Sequence, residues 1–192
     1  MSSIRINAPL EDSVIFKLKA GDRVLIEGTV YTARDAAHSK LKALIENNQE
    51  LPINLVGQVI YYVGPTPAPE GKVIGSAGPT TSTRMDRVTP ILLERGLKGM
   101  IGKGDRSTSV IDSIIKNKCV YFAAIGGAGA LIADSIIESE IIAFPELGTE
   151  AIRKLTVKNF PAIVAIDSFG NNLYNQGPLE YLEKIRDNAK TW

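Results

Sequence analysis

Hydrophobic and polar positions follow two patterns along the chain, which predict strands and helices in turn. Short runs rich in β-branched and aromatic residues, bounded by turn residues, predict strands. Apolar positions that repeat every three or four residues predict amphipathic helices. The predicted strands are residues 14–18, 22–30, 58–64, 73–74, 99–102, 118–125, 151–157 and 162–167. The predicted helices are residues 34–46, 84–92 and 107–118, a helix start within 126–134, and a terminal helix at 178–190.

The order of these elements indicates the fold class. Strands that alternate with helices predict an α/β fold with a mixed, partly parallel sheet. The chain has 192 residues, which fits a single domain, residues 1–192, with a sizeable core. The proline-rich residues 65–71 predict a loop. Pro178 is predicted in the first turn of the terminal helix, where proline is permitted.

Composition and charge exclude several classes of partner. Apolar residues make up 44% of the chain and charged residues 22%, as in ordinary globular proteins. With 22 basic and 21 acidic residues the net charge is +1, which gives no reason to expect nucleic acid or a membrane surface. The chain shows neither the apolar segment of a signal peptide nor a run of ~20 apolar residues that could span a bilayer. We therefore expect a cytoplasmic protein.

The single cysteine, Cys119, is expected in the core. It begins a continuous apolar run, residues 118–125, which is typical of a strand buried on both faces. Free cysteine is among the most buried residue types. One cysteine forms no intrachain disulfide and builds no cysteine-rich metal site by itself. No metal ligand is predicted in this chain.

A polar turn at residues 75–86 is the first candidate site. Glycine and proline are followed by four consecutive hydroxyl residues, 80–83, and then by Arg84. Hydroxyls and free backbone N–H groups at a helix N-terminus suit an anion. The alternative is that Thr81 or Ser82 only caps the helix. Because four hydroxyls exceed what one cap needs, we expect a negatively charged ligand.

A second turn, residues 99–107, has the same organisation. A short apolar strand ends in glycines around Lys103, and a helix follows with Ser107 or Asp105 available as its cap. The turn is not a phosphate-binding P-loop, because the residue after the lysine is Gly104 rather than serine or threonine. The lysine remains a candidate point charge for an anionic ligand.

A third cation, Arg34, opens the first long helix. A positive charge in the first turn of a helix is disfavoured by the helix dipole, so Arg34 stands where local stability would prefer an acid. The structural alternative is a salt bridge with Asp35 or Asp86. His38, four residues on, shares a helix face with Arg34. It is interpreted as a hydrogen-bonding orienter or a buried structural residue.

Taken together, the helix start at Arg34 and the two turns resemble segments of one protein family. The motifs are Arg-Asp-Ala-Ala-His at 34–38, Gly-Pro-Thr-Thr-x-x-Arg-Met-Asp at 78–86 and Gly-Lys-Gly at 102–104. Their order and spacing are similar to the β subunit of class I fumarate hydratases and L(+)-tartrate dehydratases, or equally to the C-terminal domain of the single-chain enzymes. The resemblance runs from about residue 5 to residue 174. It implies a three-layer β/β/α swivelling domain.

The resemblance also implies roles for four residues. In the family, the residue that matches Thr80 is proposed as the catalytic base. The residues that match Arg34, Arg84 and Lys103 bind substrate. Arginine binds a carboxylate through two nitrogens, and lysine supplies a point charge. A set of such cations suits a dicarboxylate. A threonine hydroxyl is a poor base, so Arg84 or Lys103 must assist it. Thr83 stands where the family often has glycine, which predicts a stiffer turn.

The cofactor and the partner follow from the same resemblance. Enzymes of the family use a [4Fe–4S] cluster, held by cysteine thiolates, to expel the substrate hydroxyl. One buried Cys119 does not hold such a cluster, so the cluster is expected on a partner α subunit. The expected assembly is a hetero-oligomer such as α2β2, with a homodimer of the isolated chain as an alternative.

Several alternatives remain open at the level of sequence. The predicted activity is a hydro-lyase that hydrates fumarate to L-malate reversibly, but L(+)-tartrate has two carboxylates at similar spacing. A domain that binds a small anion or nucleotide by itself is a second class of function. A purely structural subunit that shapes the site of its partner is a third.

Overall fold

The computed structural model of the protein describes residues 3–189, which form one mixed sheet with helices. The strands are β1 (Ile4–Ala8), β2 (Arg23–Thr32), β3 (Val59–Tyr61), β4 (Gly99–Gly102), β5 (Val120–Ala123), β6 (Ile136–Ala143) and β7 (Ile152–Ile166). The helices are α1 (Asp12–Ile15), α2 (Asp35–Glu46), α3 (Thr89–Glu94), α4 (Thr108–Asn117), α5 (Gly129–Ala133) and α6 (Leu173–Ala189). Short 3₁₀ helices lie at Ser82–Met85 and Pro145–Glu150.

The sheet combines parallel and antiparallel pairs. Its strand order is β1-β2-β3-β4-β5-β7-β6, and β2 also pairs with β7. The strands from β1 to β5 are parallel to their neighbours in this order. The long strand β7 runs antiparallel to β2, β5 and β6. The pairing of β2 with β7 closes a ring of five strands, and the predicted α/β fold with a partly parallel sheet is confirmed.

Two hydrophobic clusters cover the two faces of the central strands. Along β3, Val59 and Tyr61 point into a cluster formed mainly by strand residues. The alternate residues Ile60 and Tyr62 point into a second cluster, which includes residues of α2, α3 and α4. Because successive side chains of a strand face opposite sides, an uninterrupted apolar run fills both clusters. Strand residues thus dominate the first cluster, and helices cover the second, as in an α/β fold.

Three local predictions in the first half of the chain differ from the structure. Residues 14–18 form the end of α1 and a turn rather than a strand. Ile15 and Leu18, three residues apart, are both buried there, which is a helical spacing that a short apolar run does not distinguish from a strand. Residues 73–74 are also outside any strand, and the helix predicted at 84–92 is divided into a 3₁₀ turn and α3.

Further differences lie in the C-terminal half. The strands β1 and β6 were not predicted, and the predicted strands at 151–157 and 162–167 are one strand, β7. Asn159 has a φ of 55° between them, and the register of β2 with β7 shifts nearby, so a bulge keeps the strand continuous. The last helix begins at Leu173, which places Pro178 inside it, and Lys190 lies outside the described residues.

The remaining helices and strands agree with the sequence patterns. The strands β2, β3, β4 and β5 and the helices α2 and α4 lie within a few residues of their predicted bounds. Between residues 3 and 189, no helix combines the length and the apolar character that crossing a membrane requires.

Candidate active site

The carboxyl ends of four parallel strands define one edge of the sheet. Arg34 follows β2, Gly64 follows β3, Lys103 follows β4 and Gly126 follows β5. Since β2 to β5 are mutually parallel, these ends meet at the same side. In both open and closed α/β sheets, ligands bind beyond the carboxyl ends of the parallel strands.

The segment of residues 80–82 lies between the ends of β3 and β4. Thr80 N donates to the carbonyl of Tyr62 at 2.7 Å, and Lys103 N donates to the carbonyl of Thr80 at 3.2 Å. Ser82 N in turn donates to the carbonyl of Lys103 at 2.9 Å. These bonds extend the sheet beyond its regular strands and fix the backbones of Thr80 and Lys103 side by side.

The four consecutive hydroxyl residues do not have one common role. Ser82 is buried, and its Oγ lies 2.8 Å from the hydroxyl of Tyr121, which donates to the carbonyl of Gly104 at 2.7 Å. Thr81 occupies the N-cap position of the 3₁₀ turn without a side-chain capping bond, so the capping alternative was wrong. Thr80 is half-buried at the sheet edge. The surplus hydroxyls therefore serve partly to anchor the turn.

Thr83 is compatible with the backbone of the observed turn, although the family that the sequence resembles often has glycine at this position. It lies within the 3₁₀ turn and is exposed. Its φ is not among the positive values of the described residues, so the position does not require glycine. Threonine fits this turn without backbone strain.

A glycine-rich segment, residues 126–129, forms a further wall of the site. Ala77 N donates to the carbonyl of Gly129 at 3.0 Å. A Cβ atom at Gly129 would lie 2.5 Å from Ser76 Oγ, so only glycine allows this approach. A Cβ atom at Gly126 would lie 3.9 Å from Lys103 Nζ, which places the lysine side chain along this segment. From the sequence alone, these glycines indicate only a helix start.

Arg34 is held between two carboxylates. Its Nε lies 3.4 Å from Asp35 Oδ2, and its Nη2 lies 3.2 Å from Glu150 Oε1. The other oxygen of Glu150 accepts from Ala36 N at 2.8 Å, so this acid also caps α2. Gly64 makes room for the guanidinium, because a Cβ atom there would lie 2.8 Å from Arg34 Nη1.

Asp35 connects Arg34 to Arg84. Its Oδ1 accepts from Arg84 Nε at 2.7 Å, and the Arg84 side chain is half exposed. Burial alone would raise the pKa of Asp35, but a backbone hydrogen bond and the Arg84 guanidinium lower that pKa below its usual value. Asp35 is therefore a carboxylate at neutral pH. The fold thus brings Arg34 together with Arg84, and Thr80 together with Lys103.

Arg106, a buried arginine that was not among the predicted site residues, supports the same turns. Its side chain is fully buried, and its Nε lies 2.7 Å from Asp86 Oδ1. Its Nη2 donates to Thr89 Oγ1 at 2.8 Å, and the guanidinium carbon lies 5.4 Å and 5.0 Å from the ring centres of Tyr62 and Tyr121. Asp86 is consequently the partner of Arg106 and not of Arg34. The signal in the sequence was an Asp-Arg pair directly after Gly-Lys-Gly.

His38 is a neutral buried residue beneath Arg34. Its Nδ1 lies 3.1 Å from the carbonyl of Arg34, so Nδ1 carries the proton. Burial lowers the pKa of His38 to about 4. Its ring packs edge-on against Tyr62 at 5.2 Å, and it borders a cleft of about 420 Å³ that Asp35 and Arg84 also line. This position supports the interpretation of His38 as an orienting or structural residue.

The residues of this chain do not fit an iron–sulfur cluster. Cys119 is fully buried, and its Sγ donates to the carbonyl of Leu97 at 3.1 Å. Burial raises the pKa of this thiol to about 12, which opposes thiolate ligation. Within residues 3–189, no three His, Cys, Asp or Glu side chains are grouped so as to hold a metal ion.

Comparison with known proteins gives one family and several relatives. The model of the Fumarase C-terminus family matches residues 1–177. Fumarate hydratase 2 of Leishmania major is 42% identical over 158 residues, which cover 81% of this chain and 28% of that protein. The aerobic class I fumarate hydratase of Escherichia coli K12 is 38% identical over 177 residues, which cover 90% of this chain and 32% of that protein.

A third relative has nearly the same length as this chain. The putative L(+)-tartrate dehydratase subunit beta of Methanocaldococcus jannaschii is 38% identical over 177 residues, covering 89% of this chain and 91% of that protein. By contrast, the chain spans only about a third of the length of the fumarate hydratases.

Proposed function

Because the chain belongs to the Fumarase C-terminus family, a family of hydro-lyases, we propose that it is the β subunit of a heteromeric enzyme that interconverts fumarate and L-malate. The observation that carries the proposal is the collection of Arg34, Arg84 and Lys103 around one edge of the parallel strands. A dicarboxylate needs several cations, and two observations support this proposal: Asp35 pairs with both Arg34 and Arg84, and the backbone of Lys103 is bonded to that of Thr80.

Each residue of the site has a role in this proposal. Arg34 and Arg84 bind a substrate carboxylate, since guanidinium groups match the geometry of its two oxygens. Lys103 provides a point charge close to Thr80, whose backbone is bonded to its own. In the dehydration direction, the Thr80 alkoxide takes a proton from the methylene carbon of malate. The C–H electron pair forms the double bond, and the hydroxyl on the neighbouring carbon leaves; a cluster on the partner would supply the Lewis acid for that departure. The charge of Lys103 stabilises the threonine alkoxide that this transfer requires.

The division of the enzyme into two subunits is supported by the lengths of the relatives. The chain covers 91% of a protein named as a β subunit, but only 28% to 32% of two proteins named as fumarate hydratases. The [4Fe–4S] cluster expected for this family would be held by a partner α subunit, because the residues described here do not fit it. We propose a hetero-oligomer whose site forms between the two chains.

Tartrate dehydration is the second candidate function. The relative that matches this chain over nearly its whole length is named as a tartrate dehydratase subunit. Fumarate is preferred because both proteins of Leishmania major and Escherichia coli described above are named as fumarate hydratases. Fumarate, malate and tartrate have two carboxylates each, so the same three cations would serve all of them.

The test is reconstitution of the complex. The chain is co-expressed without oxygen with a cysteine-bearing α subunit, and the purified complex is assayed with fumarate, malate and both tartrate enantiomers. We expect reversible hydration of fumarate. Alanine at Arg84 or Lys103, or valine at Thr80, should lower kcat/KM about 100-fold or more, since each removes a charge or proton acceptor needed in the transition state.

The control is Lys116→Ala, which breaks a remote surface pair with Glu94 and should leave kcat/KM unchanged. Turnover of tartrate but not fumarate would favour the second candidate. Full activity of the Arg84 and Lys103 variants would leave this chain only a structural role. Tight binding of phosphate or nucleotide by the isolated chain would favour a separate anion-binding function.

A further inference from the structure

The contacts of Asp35 use particular atoms of the two arginines. Asp35 Oδ1 accepts from Arg84 Nε at 2.7 Å, and its Oδ2 lies 3.4 Å from Arg34 Nε. Both contacts therefore use the inner nitrogen of the guanidinium. Among residues 3–189, no partner accepts from the two outer nitrogens of Arg84 or from Nη1 of Arg34. The carboxylate fixes both side chains without occupying the nitrogens that bind a ligand carboxylate.

The second acid of this group fixes Arg34 from the other side. Glu150 Oε1 lies 3.2 Å from Arg34 Nη2, while its Oε2 accepts from Ala36 N at 2.8 Å. Arg34 is thereby held against α2, with its side chain only 24% exposed. Arg84 has Asp35 as its ion-pair partner and is 50% exposed. The orientation of Arg84 thus depends on Asp35 more strongly than that of Arg34 does.

Asp35 is also placed to remain ionised. It is the first residue of α2, where the helix dipole favours a negative charge. Its pKa is lowered further by its own backbone hydrogen bond and by Arg84, which together outweigh the effect of burial. A charged acceptor at this point persists across the neutral pH range.

We propose that Asp35 is a positioning residue, which orients Nη1 of Arg34 and the outer nitrogens of Arg84 towards one substrate carboxylate. The proposal rests on the function proposed above and extends it to a residue that does not touch substrate. Arginine loses rotamer entropy when it is fixed, so orienting it before the substrate arrives strengthens binding. Without Asp35, the half-exposed Arg84 would have to be ordered by the substrate itself.

The competing explanation is that Asp35 merely neutralises the two cations. In that case the substrate dianion would compete with an internal carboxylate, and removal of Asp35 would tighten binding. The two explanations predict opposite changes in KM. The two explanations also predict different effects of Asp35→Asn on KM. Asparagine keeps an oxygen that accepts from Arg84 Nε, but it has no charge.

The experiment compares Asp35→Ala and Asp35→Asn in the reconstituted complex, with Glu94→Ala as the control. Glu94 is also a carboxylate in an ion pair, but it is exposed and pairs with Lys116. For Asp35→Ala we expect the KM for the dicarboxylate to rise about 10-fold, with kcat changed by less than about 3-fold, because the lost effect is mainly one of binding. Asp35→Asn should recover part of this loss, and Glu94→Ala should match the wild type.

A nitrogen-15 NMR measurement of the arginine Nε–H groups in the full chain gives an answer independent of activity. We expect Arg84 Nε–H to be restricted in the wild type, mobile in Asp35→Ala and intermediate in Asp35→Asn. Equal mobility in all three proteins, or a KM that falls or stays constant in Asp35→Ala, would overturn the proposal. An inactive wild-type complex would instead refute the proposed function, while the NMR result still decides whether Asp35 orients Arg84.

Discussion

At the scale of single residues, His38 shows how one buried side chain makes stability depend on pH. The ring is fully buried and its pKa is lowered to about 4, because burial disfavours the charged form. The Nδ1–H group is committed to the carbonyl of Arg34, and no partner among residues 3–189 bonds Nε2. Protonation of Nε2 would therefore place an uncompensated charge in the interior.

The resulting prediction concerns the free energy of unfolding between pH 6.5 and pH 4. The unfolded chain binds a proton at His38 below a pKa near 6.5, whereas the folded chain does so only near 4. Stability from this group is therefore complete above pH 6.5 and falls by up to about 3 kcal/mol as the pH decreases to 4. Urea unfolding at a series of pH values measures this slope.

The matched variant is His38→Asn, whose amide can still donate to the carbonyl of Arg34. Because His38 is the only histidine of the chain, this variant removes the histidine contribution completely. Its stability curve should be flatter than that of the wild type over the same interval. Parallel curves for the two proteins would show that His38 titrates normally in the folded state.

At the scale of secondary structure, the insertion of residues 80–82 between β3 and β4 depends on the absence of a side chain at Gly102. A Cβ atom at this position would lie 2.0 Å from Ser82 Oγ and 3.0 Å from Tyr62 Cδ2. Ser82 has little freedom to move, since its hydroxyl bonds Tyr121 and its N–H bonds Lys103. The position of the whole 80–82 segment is therefore coupled to one glycine at the end of β4.

Gly102→Ala should consequently affect both stability and the site. We expect a loss of about 1–3 kcal/mol in the free energy of unfolding, which is typical of an overpacked core. Activity of the reconstituted complex should fall, because Thr80 moves relative to Lys103. Thermal denaturation and steady-state kinetics measure the two effects.

A second substitution identifies the cause. Ser82→Ala added to Gly102→Ala removes the atom that lies closest to the new methyl group, and should restore part of the stability. Gly177→Ala is the control, because its Cβ atom would come no closer than 3.8 Å to Leu173 Cδ1 and would therefore not clash. A Gly102→Ala protein as stable and active as Gly177→Ala would contradict this account of the segment.

At the scale of the whole molecule, the buried pair of Arg106 and Asp86 joins the helical layer to the sheet. Arg106 contacts Met100 of β4 and Thr89 of α3, while Asp86 accepts from Ser107 N just before α4 at 2.7 Å. The guanidinium also lies against the rings of two core tyrosines. One ion pair thus links the two loops that carry the candidate site to the second hydrophobic cluster.

We predict that Arg106→Leu lowers the free energy of unfolding by about 3 kcal/mol, because the largely buried Asp86 loses its cationic partner. Adding Asp86→Asn should recover part of this loss, since the neutral amide is easier to bury. Chemical denaturation of the three proteins gives the coupling energy.

The control is the exposed pair of Lys116 and Glu94, for which Glu94→Ala should cost no more than about 1 kcal/mol. If Arg106→Leu and Glu94→Ala have equal effects, the buried pair does not link the layers as described. A loss of hydro-lyase activity without loss of stability in Arg106→Leu would also contradict a purely supporting role.

Local patterns in the sequence determined much of the fold and supplied the candidate residues of the proposed site. The apolar runs of β3 and β5, the helical spacing of α2 and α4, and the burial of Cys119 all follow from side chains close in sequence. The motifs around Arg34, Arg84 and Lys103 were also recognisable, because each combines turn residues with a cation at the end of a strand or the start of a helix. Burial and periodicity are local properties of a chain.

Only the tertiary structure decided how these parts are connected. The bridge from Asp35 to both arginines joins residues 49 positions apart, and the cap that Glu150 gives to α2 joins residues 114 positions apart. The partner of Asp86 and the position of residues 80–82 depend on which strands are neighbours in the sheet. The largely exposed strand β6 is defined by its pairing with β7. The short apolar run that contains α1 does not by itself distinguish a helix from a strand. Such choices depend on contacts between distant segments, for which a local pattern carries no signal.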